Sequence, residues 1–238
     1  ELKSTEVVYD RARSSFAMLA PGSIDWEAAL DGCDWLHLSA ISPALQRNVF
    51  EVCMEAVTAA SKKGITVSID LNYRSRLWQY GESPASLMPE LVAHCDVVMG
   101  NLWAAAQLLG IPSTVESSEG RSTEELIRAA EESMQALQAA FPKAKCMAYT
   151  FRLAQQYFAV LYHDGMVVSP IFALDKVVDK VGSGDCFMAG LIHGIRQQHS
   201  DSNIISFATA AAVNKMGESG DATRSDLSEI MKRLEHVK

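Results

Sequence analysis

The hydrophobic positions along the chain switch repeatedly between a strand-like and a helix-like period. Residues 35–41 form a compact apolar run and predict a buried strand. Ser42-Pro43 follows and predicts a helix start, with Ser as cap and Pro in the first turn. Leu45, Val49, Val52, Ala56 and Ala60 then recur at helical spacing as far as Gly64, a C-terminal cap. The β-branched run 65–71 predicts a second strand, ended by the polar loop Asn72-Tyr73-Arg74. A helix over 84–94, a strand over 95–99 and a helix over 101–109, stopped by Gly110, continue the alternation. Ser122-Thr123-Glu124-Glu125 is a capping box. The helix it opens buries Leu126, Ala130, Met134, Leu137 and Phe141 and leads to a strand over 146–150. His163-Asp164-Gly165 between apolar runs at 157–162 and 166–169 signals a hairpin. The last third predicts helices over 185–197, 203–215 and 226–236.

Strands alternating with crossover helices imply an α/β protein, its mostly parallel sheet covered by helices on both faces. Ligands of such sheets bind past the carboxyl ends of the strands, so the polar loops there are the candidate sites. Residues 6–15 alternate like a strand with no helix after them. They predict a small β appendage over 1–20, set apart from the α/β core over 21–238.

Composition narrows the class. The 238 residues are 48% apolar and 21% charged, enough to build a core and too apolar for global disorder. No apolar run approaches the roughly 20 residues of a membrane span. A net charge of -8 argues against a nucleic-acid binder, yet leaves room for an anionic small molecule gripped by a few arginines. The five cysteines are odd in number and scattered, so neither a metal pair nor a disulfide framework is expected. They read as reduced, mostly buried thiols of a cytoplasmic protein. Glu1-Leu2-Lys3-Ser4 does not resemble a signal peptide and carries no initiator Met, so the expectation is a piece of something longer.

Four segments could carry chemistry. Gly182-Ser183-Gly184-Asp185 opens a long apolar helix. Small residues let backbone N–H groups approach a ligand, and a helix N-terminus adds partial positive charge, which suits a phosphate. Asp185 then either accepts a proton or merely caps the helix. Asp70-Leu71-Asn72-Tyr73-Arg74 sits at a strand's carboxyl end, where Arg74 could grip a carboxylate or phosphate in two-point fashion, or pair with a local acid. Tyr9 and Arg11 share one face of the opening strand and suit a sugar acid, or are plain strand decoration. The loop 218–223 reads as turn chemistry. Six scattered histidines show no helical metal spacing, and His37 reads as a core histidine.

The stretch 179–190 resembles the C-terminal signature of the ribokinase-like (PfkB) carbohydrate kinases. The segments 8–12, 36–39 and 70–78 resemble the 2-keto-3-deoxygluconate kinase branch, over nearly the whole chain and in order. The resemblance implies a three-layer αβα sandwich with a mostly parallel sheet and a β lid. It implies Asp185 as the base on a sugar's 6-hydroxyl, with Gly182, Ser183 and Gly184 as an anion hole for the phosphoryl group of ATP. Arg74 would hold the acid's carboxylate, and Tyr9, Arg11 and Asp221 would contact the sugar. Asn72, Asn101 and Asn214 would serve the nucleotide side, with Mg²⁺ accompanying ATP. A homo-oligomer built through the lid is also implied, with neither nucleic acid nor membrane as partner.

The chain departs from the family in places. The family's opening strand, Gly-Gly substrate loop and further lid would precede Glu1. Its Asn-x-x-Glu metal motif reads Asn101-Leu102-Trp103-Ala104 here, so no metal ligand is assigned. Lys180-Val181 replaces small hydroxyl residues, and 151–156 is short for a nucleotide-contacting loop. A kinase of a neutral sugar such as fructose or ribose, and a non-catalytic relative that binds ATP and sugar, are the alternatives. A dinucleotide oxidoreductase lacks its Gly-x-Gly-x-x-Gly after an early strand.

Overall fold

A computed structural model describes residue 11 and residues 13–235. The described residues divide into two compact units. One runs up to Val98 and takes in Ala104–Gly110 and Phe141–Ala144; the other holds Met99–Trp103, Ile111–Ala140 and the chain from Lys145 on.

In the first unit, strands β1 (Trp35–Ser39) and β2 (Thr66–Asp70) pair in parallel, with His37 opposite Ser68 and Ser39 opposite Asp70. Strand β3 (Val97–Gly100) begins in this unit, and its last two residues belong to the other. Helix α2 (Arg47–Lys62) packs on β1 and β2, and on the short α1 (Trp26–Ala29) and α3 (Pro84–Val92). Its buried face is Val49, Phe50, Val52, Cys53, Ala56, Val57 and Ala60, the stripe that the 3.6-residue period predicts. Asp96 ties the unit's strands: its carboxylate accepts the Val67 N–H at 2.8 Å and the Lys143 ammonium at 2.9 Å.

Two expectations fail here. Ser42-Pro43 does not open α2. The Ser42 carbonyl accepts the Leu45 N–H at 3.2 Å, closing a turn with Pro43 at its second position, and the helix starts at Arg47. Strand β1 is not a buried strand either; its five residues are half-buried or exposed, because among the described residues it is the first strand in the order and pairs with β2 alone. His37 is accordingly no core histidine. It is exposed, with Nδ1 2.9 Å from the Ser68 hydroxyl, which also accepts the Trp35 indole N–H.

In the second unit, β4 (Cys146–Arg152), β5 (Gln156–Tyr162) and β6 (Met166–Val168) lie in that order, and β7 (Phe172–Ala173) also pairs with β5. All of these pairings are antiparallel. The strand pairing of this unit is therefore antiparallel, and the reason is local. Only three residues join β4 to β5, with Leu153 N–H closing onto the Gln156 carbonyl, and a parallel crossover needs a dozen or so. The Asp164-Gly165 hairpin between β5 and β6 is present as predicted.

Helix α5 (Thr123–Ala140) begins on its capping box, with Glu125 N–H on Ser122 Oγ and Ser122 N–H on Glu125 Oε2. Helix α7 (Asp201–Met216) packs against α6 (Ser183–Arg196), α8 (Leu227–Glu235), β5 and β6. Being covered on several sides, it is buried almost all round from Ile204 to Met216 rather than along one stripe. Gly190 lets α6 approach α7 at backbone distance: a Cβ there would lie 2.8 Å from Ala208 Cα. That contact fixes where the N-terminus of α6 points within the unit.

The expected lid strand over 6–15 lies largely outside the described residues. Within them, residues 13–18 form turns, with Met18 N–H on the Ser14 and Ser15 carbonyls. Cys53, Cys95 and Cys146 are buried, Cys186 is half-buried and Cys33 exposed; all five are free thiols. Burial pushes the first three up to about 12. No helix among the described residues is long and apolar enough to cross a membrane.

Candidate active site

Helix α6 starts from Gly182, whose φ of 78° is left-handed. Glycine is required there twice over. The conformation strains any side chain, and an added Cβ would lie 1.7 Å from the Asp221 carbonyl oxygen. The backbone of Asp221 is thus laid directly on the loop, which joins Gly182, Ser183, Gly184, Asp185 and Asp221 in one place. Asp221 itself is exposed.

The helix start leaves polar groups free for a ligand. The Ser183 hydroxyl and N–H both turn to the Lys180 carbonyl, at 2.9 and 3.4 Å. Among the described residues, no hydrogen bond uses the N–H of Gly184 or Asp185. Donors left orphaned at a helix N-terminus suit an anion such as phosphate. The N–H of Asp185 is an addition to the residues the sequence pointed to.

Asp185 is not the helix cap. Its carboxylate is exposed at the third helical residue and makes no hydrogen bond or ion pair among the described residues, while Gly182 occupies the cap position. The capping explanation is therefore removed, and a free carboxylate stands beside unused N–H donors. Cys186 follows, and burial pushes its thiol above its ordinary range, which keeps it protonated at neutral pH.

The surroundings of the loop rest on two carboxylates, Asp179 and Glu218. The Asp179 carboxylate accepts the Val181 N–H at 3.0 Å and the Gly220 N–H at 3.2 Å. Glu218 accepts the hydroxyls of Thr223 and Ser225 at 2.7 and 2.8 Å and the Arg224 N–H at 2.6 Å. The turn chemistry expected for 218–223 is thus real, and it braces Asp221 as well. Asn214 is buried on α7, and its side-chain oxygen accepts from the Arg233 guanidinium of α8.

Arg74 belongs to the first unit, in the loop after β2, with Asn72 half-buried two residues before it. Tyr73, Arg74, Ser75 and Arg76 line an open pocket of about 240 Å³. The Arg74 guanidinium is exposed and donates to the Tyr73 carbonyl at 3.0 Å; no acid among the described residues pairs with it. Its remaining donors are available to an anion. In the same loop the buried Trp78 indole N–H has no partner. Arg11 is half-buried, and Tyr9 lies outside the described residues.

Phosphate fits the α6 terminus. A metal held by protein ligands alone fits less well: no group of three His, Cys, Asp or Glu among the described residues could hold one, and the buried Ala104 follows the half-buried Asn101 where an acid was expected.

Residues 3–227 match the pfkB family carbohydrate kinases. The chain belongs to this family. It is 25% identical over 229 residues to a 2-dehydro-3-deoxygalactonokinase of Haloferax volcanii, a match covering 92% of this chain and 62% of that protein. The pfkB chain described here thus spans less than two thirds of that relative. A 2-dehydro-3-deoxygluconokinase structure from Thermotoga maritima superposes with a TM-score of 0.85 at 29% identity, covering 97% of this chain and 68% of that one. A fructokinase from Xylella fastidiosa, solved with bound ATP, gives a TM-score of 0.66 at 22% identity over 88% of this chain and 64% of that one, a likeness of fold. The α/β fold expected of a PfkB kinase is the one observed.

Proposed function

We propose that this protein transfers the γ-phosphoryl group of ATP to the 6-hydroxyl of a sugar acid, 2-keto-3-deoxygluconate or its galactonate epimer. The observation that carries the reading is the exposed, unpartnered Asp185 carboxylate beside the unused N–H groups that open α6. A carboxylate so close to an anion site is repelled by phosphate unless it accepts a proton there.

In this reading Asp185 removes the hydroxyl proton as the substrate oxygen bonds to the γ-phosphorus. The bond from that phosphorus to the bridging oxygen breaks, and ADP leaves. The backbone of Gly182–Asp185 donates to the charge that builds on the transferring group, which is positioning and electrostatics rather than covalent catalysis. Arg74 pairs with the substrate carboxylate, with Tyr9, Arg11 and Asp221 as sugar contacts. Asn72, Asn101 and Asn214 are assigned to the nucleotide side. Mg²⁺ would accompany ATP and would offset charge on its phosphates; no residue of this chain is assigned as its ligand. A soluble, oligomeric protein of the cytoplasm, paired through its lid, completes the proposal.

The relatives' names divide between the gluconate and galactonate epimers, so both belong in the test. ADP release is measured with Mg-ATP and each keto acid, with fructose and ribose alongside. Turnover of a keto acid well above the neutral sugars is the expected result. Preference for fructose or ribose would overturn the assignment of Arg74 and with it the acid substrate.

A further inference from the structure

Lys215 lies in the last turn of α7 and is fully buried. A buried ammonium is costly unless polar groups surround it. Its Nζ donates to the Glu218 carbonyl at 3.2 Å and, more weakly, to the Asp179 carbonyl at 3.5 Å. Its charge also acts on the Asp179 and Glu218 carboxylates, helping to hold both below their ordinary range. These two residues organise the two loops of the candidate site. Asp179 holds Val181 on one side and Gly220 on the other. Glu218 holds residues 223–225. Val178 and Asp179 N–H groups both reach the Met216 carbonyl, the residue after Lys215. The end of α7 is therefore the post on which the α6 loop and the 217–225 loop are both fastened. Gly182 and Asp221 then meet at backbone contact distance.

We propose that Lys215 is a positioning residue for phosphoryl transfer: its buried ammonium fastens the two loops together and so sets where Gly182–Asp185 and Asp221 stand. It touches no reacting atom itself. The inference rests on the site reading above and adds a residue to it. An apolar side chain of similar length would fill the same space and satisfy the core, yet would leave the Asp179 and Glu218 carbonyls unbridged.

The test is Lys215→Met, read by amide hydrogen exchange and by steady-state kinetics. Exchange should rise selectively in peptides covering 178–186 and 217–225, with α5 and β4 unchanged. The value of kcat should fall on the order of 10- to 100-fold while both KM values stay within about threefold, since misplacement by an ångström costs that much in rate. Loop exchange and kcat within about twofold of the unaltered protein would overturn the proposal. Should Lys215→Met fail to fold, Lys215→Gln serves instead. Its side chain is uncharged and one bond shorter, so it cannot bridge the Asp179 and Glu218 carbonyls as the ammonium does, and the same peptides should loosen. If the unaltered protein transfers no phosphoryl group to any sugar, the functional reading falls. Exchange in the two loops then decides the clamp on its own: selective loosening upholds it and unchanged exchange ends it.

Discussion

Gly182→Ala places a single methyl group at the tightest point of the candidate site. The φ of 78° alone costs an alanine about 1–2 kcal/mol. The methyl would also lie 1.7 Å from the Asp221 carbonyl oxygen, so that backbone has to retreat by more than 1 Å to reach a tolerable contact. A retreat of that size pulls Gly220 N–H away from Asp179, 3.2 Å distant now. Strain and the lost contact together should destabilise the fold by about 2–4 kcal/mol. A displacement beyond 1 Å should also lower kcat by roughly 10²-fold. Thermal unfolding followed by circular dichroism, with coupled ADP-release kinetics, reads both. Gly184→Ala is the comparison: no atom lies within 4 Å of its added Cβ and its φ is not left-handed. It should therefore leave Tm unchanged or raised, since alanine suits a helix better than glycine. Its methyl group would sit among the proposed phosphoryl donors, so kcat should still fall. A Gly182→Ala protein with unaltered Tm and kcat within about threefold would refute the close approach as a requirement.

Three further outcomes follow from the geometry. Arg74→Met should raise KM for a keto acid about 10- to 100-fold, the worth of a charge-assisted pair, and leave fructose kinetics unmoved; equal effects on both sugars would count against a carboxylate partner. Trp78→Phe should change unfolding free energy by less than about 1 kcal/mol in chemical denaturation, because the indole N–H it removes has no partner to lose. Desolvation opposes ionisation of Glu218, but hydrogen bonds from Arg224, Thr223 and Ser225 and the charge of Lys215 prevail and hold its carboxyl below the ordinary value of 4.5. A depressed folded-state value means stability that is present above pH 4.5 and lost as pH falls through the lower folded value, so Glu218→Gln should flatten the acid limb of a Tm-against-pH curve; an unchanged limb would show that Glu218 contributes nothing there.

Local signals in the sequence survive where they need only their own neighbours. The Ser122–Glu125 box, the Asp164-Gly165 hairpin and the stop at Gly110 involve residues within a turn of one another, and all three are realised. Ser42-Pro43 carries a helix-start signal that a β-turn satisfies equally well, and only the surrounding packing chooses between them. The antiparallel β4–β5 pair sits in a run of alternating elements, and only its three-residue connection, too short for a parallel crossover, distinguishes it. The Gly-Ser-Gly-Asp segment was legible because small residues before a helix have few purposes. Why Gly182 must be glycine was not, since the answer is a carbonyl 39 residues further on. Lys215 ends an alanine-rich helix and reads as a favourable charge in a last turn. Only packing turns its ammonium inward onto Asp179 and Glu218.

The central claim is that Asp185 accepts the substrate's proton, and Asp185→Asn tests it most directly. The amide keeps the shape of the side chain and removes its basicity. Single-turnover transfer from Mg-ATP to the keto acid should fall about 10²–10⁴-fold, while ATP affinity by calorimetry stays within about threefold. A variant that binds ATP normally and keeps more than about a tenth of the transfer rate would contradict the account.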